Sequence, residues 1–200
     1  MTSTHFAPTP CVAEGCKRMA LTGANQCWTH LTNKNAYLAA LTPDLLPGAW
    51  LVGADLSNVD WRGLDLSWAR LSHATLDGAN LQGADLNHTF LDEASLCGAN
   101  LEGANLELAV LGGARLTGAN LRSANMQRAN LVGAEGDEAD FTGANLYYSR
   151  PGNSRFRKAR FVDANIQRAI FRRADLAESD MTGAEGKANF EAANLKGVKQ

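Results

Sequence analysis

An all-β solenoid is the fold class this chain predicts, and three observations carry it. From Leu51 to Met181 every fifth residue is apolar and core-forming, with only Gly136 and Pro151 departing. Two positions before each centre there is usually an alanine, and Asp or Asn usually stands between them, as in Ala79-Asn80-Leu81 and Ala104-Asn105-Leu106. Glycine commonly follows two residues after the centre. A helix needs apolar residues at a spacing of about 3.6 and a strand needs strict alternation, so a sustained period of five suits neither. The Ala and Leu of each unit lie two apart and face the same side of a short extended segment. Asp, Asn and Gly are turn formers that bend the chain at each unit. Stacked coils then bury a continuous leucine column lined by alanine.

These tandem A-(D/N)-L-x-G units resemble the pentapeptide-repeat family over about three quarters of the chain. The resemblance implies a right-handed quadrilateral β-helix with four pentads per coil and about seven coils over residues 46–200. Residues twenty apart would then stack at about the 4.8 Å strand separation, giving a rod on the order of 35 Å long. The low aromatic content, 7%, suits a thin core of Leu and Ala. No stretch approaches the roughly 20 apolar residues of a membrane span. The N-terminus, with His5, Pro8 and Pro10, lacks a signal-peptide core. A cytoplasmic protein is the expectation.

Residues 1–45 follow a different grammar and form a second, small module. Cys11, Cys16, Cys27 and His30 fall within about twenty residues, a ligand set that suits one tetrahedral structural zinc. Gly15 permits a tight turn beside Cys16. The stretch also resembles a short bacterial and phage zinc motif, C-x3-G-C followed by C-x2-H, found near the ends of DNA-processing and other proteins. Three buried reduced thiols beside an unrelated histidine are the alternative; a disulfide framework does not suit a reducing compartment. With four protein ligands no position stays open for a substrate. Cys97, at an outward position, reads as a free surface thiol. The run from Ala36 to Leu41 predicts a short helix stopped by Pro43. Module and helix together would cap the open end of the solenoid, with a partner-binding module as the second reading.

Taking residues twenty apart sorts the outside into four faces. Three carry mostly Asp, Asn, Ser, Thr, Gln or charge. On the fourth, the position before the centre holds Trp50, Arg70, Phe90, Val110, Asn130, Arg150 and Ile170. The adjoining corner holds Trp68, His88, Leu108, Arg128, Tyr148 and Arg168. Trp50, Trp68, Phe90, Leu108 and Val110 thus form an outward apolar band, which something should cover. Two covers remain open: residues 28–47 folding back over it, or a homodimer or other partner using aromatic anchors.

Charge is segregated along the chain. Residues 46–149 carry five basic and thirteen acidic groups, net −8, and residues 150–200 carry eleven basic and six acidic groups, net +5. Arg150, Arg155, Arg157, Lys158 and Arg160 cluster, with Arg172 and Arg173 one coil on. The cluster suits phosphate or an acidic protein surface, or is a solvated face. Pro151 cannot donate to a ladder and predicts a local loop or bulge. After Gly186 the next centres are Phe190 and Leu195, one residue early, so the frame slips there.

No catalytic constellation is present: Asp and Asn recur in nearly every pentad rather than pairing at one place, and no phosphate loop or nucleophile elbow occurs. The chain therefore reads as a non-enzymatic protein-interaction scaffold. The family resemblance implies a second reading, a mimic of B-form DNA that binds DNA gyrase or topoisomerase IV and confers quinolone or toxin resistance. A third is nucleic-acid binding through the zinc module and the basic C-terminal coils.

Overall fold

The computed structural model describes residues 8–200; His5 and the rest of residues 1–7 lie outside the described residues. From Trp50 onward the chain forms single parallel bridges between residues twenty apart, such as Asn80 to Asn100 to Asn120, on four sides in turn. Each pentad is one short extended rung followed by a tight turn. In the pentad at Leu101, the Leu101 amide donates to Asn120 O at 2.7 Å, and Ala104 N closes the turn onto Leu101 O at 3.0 Å. Gly103, with φ +64°, takes the third turn position, where glycine meets no Cβ penalty.

The Asp and Asn side chains serve both turn and ladder. Asn100 Oδ1 accepts from Glu102 N at 3.2 Å, while Asn120 Nδ2 donates to that same Asn100 Oδ1 at 3.0 Å. Inside, Ala99, Leu101, Ala104 and Leu106 have no exposed surface, and the buried column continues to Met181. Removing one such leucine side chain would cost about 2–5 kcal/mol.

Where the frame departs from leucine, the core adjusts locally. Gly136 makes room for Phe156 of the next coil: a Cβ on Gly136 would lie 2.5 Å from Phe156 Cε1. Phe141 and Phe161, one coil apart, stack with centroids at 4.8 Å. The loop expected at Pro151 does not form. Pro151 and Gly152 are buried, and Asn130 and Arg150 bridge as usual. Only the Arg150 to Ile170 rung is lost between Trp50 and Glu185, because proline has no amide to give, and Asn153 N resumes bonding to Arg172 O at 2.9 Å. The slip at Gly186 does occur: the bridges from Ile170, Asp175 and Asp180 reach Asn189, Asn194 and Lys199, nineteen residues on.

The N-terminal end is covered. Helix α1 (Lys34–Ala40) is capped by Asn33, whose side chain accepts from Ala36 N at 3.0 Å. A short 3-10 turn, Pro43–Leu45, follows. Trp28, Tyr37, Leu38 and Leu41 pack onto the first coil's core. Thr22 ties the module to the first rung: its amide donates to Trp50 O at 3.0 Å, its hydroxyl accepts from Trp50 N at 2.6 Å, and its carbonyl accepts from Tyr37 Oη at 2.9 Å. Burial raises the Tyr37 hydroxyl well above its usual range, so it stays a donor. Among the described residues, no helix is long and apolar enough to cross a membrane.

Candidate functional site

The N-terminal hairpin gathers the four predicted ligands. Pro10 bridges Met19 in antiparallel fashion, and Cys11 N donates to Arg18 O, which turns the chain at Gly15 (φ +70°) and brings Cys16 back beside Cys11. The Cys27 carbonyl accepts from His30 N at 3.0 Å in a single turn that presents both side chains to one side. Cys11 Sγ lies 3.5 Å from His30 Nδ1, Cys27 Sγ lies 3.4 Å from it, and Cys16 Sγ lies 3.9 Å from Cys27 Sγ. All four donor atoms fall within 4.8 Å of one another. A tetrahedron with metal–sulfur bonds of about 2.3 Å and metal–nitrogen bonds of about 2.0 Å has edges of roughly 3.5–3.8 Å. The cluster is therefore of a size to hold a metal ion.

The backbone also supports a thiolate at Cys11. Hydrogen bonding from the Cys27 backbone pulls the Cys11 thiol down to about 6, with the Ala13 backbone and His30 adding to it. At Cys16 the Arg18 amide, 3.5 Å from Sγ, acts the same way but is outweighed by burial and the neighbouring thiols, so that thiol is raised. Cys97 stands apart on the solenoid, free and half-buried.

On the fourth face, parts of the expected band stack, with Trp68 exposed and Trp50, Phe90, Leu108 and Val110 half-buried. The Arg70 guanidinium lies between two rings, with Cζ 5.1 Å from the Trp50 centroid and 4.5 Å from the Phe90 centroid. Trp68 and His88 stack at 4.0 Å and 14°. Arg168 covers the Tyr148 ring at 5.0 Å. From residues 28–47, Trp28, Tyr37, Leu38 and Leu41 pack against the buried core, and Trp68 keeps 46% of its surface exposed. Pro8, Thr9 and residues 20–24 of the N-terminal module line a cavity together with Trp50.

The adjoining corner holds something the sequence analysis missed. Trp68, His88, Leu108, Arg128, Tyr148 and Arg168 all have φ between 57° and 62°. The other three corners relieve this conformation with glycines such as Gly53, Gly113 and Gly133, Gly78 and Gly98, or Gly63, Gly83 and Gly103. A non-glycine residue there costs roughly 1 kcal/mol or more. Six bulky residues in succession on one corner, with no glycine after Gly48, mark a surface kept for its side chains.

The basic cluster divides in two. Arg155 pairs with Glu135 and Asp137 at 3.4 and 3.1 Å, Arg157 with Asp175 at 3.7 Å, Arg160 with Asp140 at 3.4 Å and Arg172 with Glu191 at 3.4 Å. These partners stand mostly one coil away, a placement that sequence clustering alone does not reveal. Lys158, Arg150 and Arg173 have no such anion among the described residues, nor does Arg128. Arg150, Arg172 and Arg173 line a shallow groove of about 200 Å³ floored by Val132, Gly152 and Ile170.

The chain belongs to the pentapeptide-repeat family, whose description, pentapeptide repeats (8 copies), matches residues 49–87, 76–113, 114–150 and 154–185. Among solved structures it is similar to a trypsin-treated variant of QnrB1, a plasmid-mediated fluoroquinolone resistance protein, at 21% identity over 80% of this chain and 86% of that one, TM-score 0.51. HetL, a pentapeptide-repeat protein involved in heterocyst differentiation regulation from the cyanobacterium Nostoc sp. strain PCC 7120, is 32% identical over 74% of this chain and 84% of its own, TM-score 0.30. Rfr23 from the cyanobacterium Cyanothece 51142 is 23% identical over 82% and 92%, TM-score 0.41. The likeness to QnrB1 is one of fold, a right-handed β-helix. No curated protein matches the chain at a significant level.

Proposed function

We propose that this protein is a non-enzymatic, cytoplasmic interaction scaffold: residues 46–200 form a rigid rod whose fourth face docks a protein, and residues 1–45 form a cap held by one structural zinc on Cys11, Cys16, Cys27 and His30. The observation that carries the docking role is the glycine-free corner from Trp68 to Arg168, where strained backbone is retained in favour of large side chains. Trp50, Trp68, Phe90, Leu108 and Val110 supply anchors of the kind that dominate protein interfaces. Four protein ligands with no open position fit a structural metal and leave nothing for metal-based catalysis. A photo-crosslinking residue at position 68, compared with one at position 118 on another face, tests the docking role. Crosslinked protein from position 68 alone is expected, and equal yields from both positions would refute it.

The acidic coils of residues 46–149, net −8, favour a second reading, protection of DNA gyrase or topoisomerase IV by DNA mimicry. Supercoiling by gyrase with a fluoroquinolone and rising protein concentration is the test; no protection at micromolar protein would remove it. The ion pairs on Arg155, Arg157, Arg160 and Arg172 leave few free charges for a nucleic-acid backbone, and a blank gel shift at low salt is expected.

A further inference from the structure

A groove opens beside Pro151 where Arg150, Arg172 and Arg173 converge, and we propose that it binds one phosphate monoester group. Val132, Gly152 and Arg172 follow one another in a single outward column, twenty residues apart. Gly152 has no positive φ, and a Cβ there would meet only the carbonyls of Arg172 and Ile170, at 3.4 and 3.7 Å. The backbone thus does not demand glycine, and the missing side chain leaves a gap in the column two rungs, or roughly 10 Å, long. Cations border this gap: Arg150 two residues before Gly152, Arg172 on the next coil, and Arg173 beside it, all three exposed. Arg150 and Arg173 have no anion in their own chain among the described residues, and Arg172 gives Nε to Glu191 at 3.4 Å, which leaves its two outer nitrogens. Arg173 holds φ +57° in a column where Gly113 and Gly133 relieve that conformation, so strain is accepted there to keep a guanidinium.

A phosphate monoester matches this arrangement better than a carboxylate or a polyanion. It carries up to two charges and three acceptor oxygens, enough for three guanidinium forks at once, whereas a carboxylate offers two oxygens and one charge. A nucleic acid needs a row of free cations, and here Arg155, Arg157 and Arg160 are already paired within the chain. At about 200 Å³ the groove is smaller than the roughly 300–1,000 Å³ of pockets that enclose a drug-sized ligand, so it takes a head group and leaves the rest outside. Val132 and Ile170 stand exposed at its edges and offer aliphatic contact to whatever bears the phosphate. Free inorganic phosphate would leave both uncovered. The site goes beyond the docking role argued above, and its test needs no protein partner.

Titration with phenyl phosphate and with inorganic phosphate, followed by proton–nitrogen NMR of backbone amides and arginine side chains, tests the proposal. Saturable shifts confined to Gly152, Asn153 and the three arginines are expected, with phenyl phosphate binding more tightly. Arg150→Asn and Arg173→Asn should each weaken binding roughly tenfold. Asparagine already stands at those positions one coil earlier, as Asn130 and Asn153, so both variants are expected to fold, which circular dichroism checks. Gly152→Val, which copies Val132, fills the gap without altering charge and should block binding. Arg155→Ser removes the same charge from an arginine paired with Glu135 and Asp137 and should leave binding unchanged. Shifts spread over Lys158 and the other basic residues, an Arg155→Ser loss equal to that of Arg173→Asn, or inorganic phosphate binding as tightly as its phenyl ester would overturn the proposal. Displacement of phenyl phosphate by duplex DNA at a lower phosphate concentration would overturn it too, by assigning the groove to a polyanion. Peptides carrying one phosphotyrosine, compared with free phosphotyrosine, identify the source: tighter binding assigns a phosphorylated protein segment, and equal or weaker binding a small phosphorylated molecule.

Discussion

Replacing Gly136 with leucine restores the repeat's consensus residue, yet the packing around it predicts a less stable protein. Gly136 has no positive φ, so the backbone accepts a side chain, and a glycine-to-alanine change at a compatible site ordinarily stabilises by about 0.4–1 kcal/mol. Here the Cβ alone would come within 2.5 Å of Phe156 Cε1 and 2.7 Å of Phe156 Cδ1, where carbon atoms prefer about 3.5–4.0 Å. Leu116 Cβ, at 3.4 Å, closes the other side, and the Phe156 ring is wedged edge-on against Phe141 at 5.3 Å. The ring has no room to swing, and overpacking of this kind costs about 1–3 kcal/mol. For a chain of this size that lowers Tm by roughly 2–12 °C. Phe156→Leu alone opens a cavity and also destabilises, while the double variant Gly136→Leu/Phe156→Leu should return close to wild type, with a coupling of about 0.5–3 kcal/mol. Urea and thermal unfolding followed by circular dichroism read all four proteins. A Gly136→Leu variant as stable as wild type, with no recovery in the double variant, would refute the exchange of volume between coils.

Three other outcomes follow from the same structure. Ser149 and Ser179 occupy alanine positions with buried, unpartnered hydroxyls, so Ser149→Ala and Ser179→Ala should each raise Tm, by about 1 kcal/mol of stability, whereas Thr89→Ala should lower it by breaking the 2.8 Å bond to Leu66 O. Metal analysis should find one zinc per chain, and Cys16→Ser or a strong chelator should remove it and lower the melting temperature of the N-terminal cap, with unchanged melting counting against a structural metal. Burial pushes the Asp140 carboxyl up, but the Thr142 hydroxyl and amide and the Arg122 and Arg160 guanidiniums outweigh it and hold it below its usual range. Its stabilisation is present above the unfolded value of about 3.9 and lost as pH falls through the folded one, so Asp140→Asn should weaken the protein at neutral pH and match wild type in acid. A constant difference across that range would contradict it.

The five-residue frame carried the solenoid because each pentad repeats one local conformation, and the family resemblance supplied the coil of twenty that assigns every residue to a side. The slip after Gly186 was legible for the same reason. What escaped depends on neighbours twenty residues away acting through side-chain shape. Phe156 filling the space at Gly136 requires knowing which way a ring turns inside the rod. The uninterrupted course through Pro151 reflects a ladder redundant enough to lose one amide without parting. The cysteine and histidine spacing announced a cluster of donors able to hold a metal, since short turns leave them little choice of direction. The neutralisation of Arg155 and Arg160 could have been found by looking one coil back to Glu135 and Asp140, and the strained corner from Trp68 to Arg168 by noticing that its column holds no glycine after Gly48.

The twenty-residue coil has a consequence for how such a chain can change. Each coil advances the rod by one rung, about 4.8 Å, and returns the chain to the same side. Gaining or losing twenty residues would slide everything beyond that point by one rung without rotating it, whereas gaining or losing five would carry it a quarter turn around the axis. Chain length thus works as ruler and protractor together. A single-coil deletion between Leu111 and Asn130 would bring Arg150 one rung nearer Phe90, and a single-pentad deletion would take it off that side altogether.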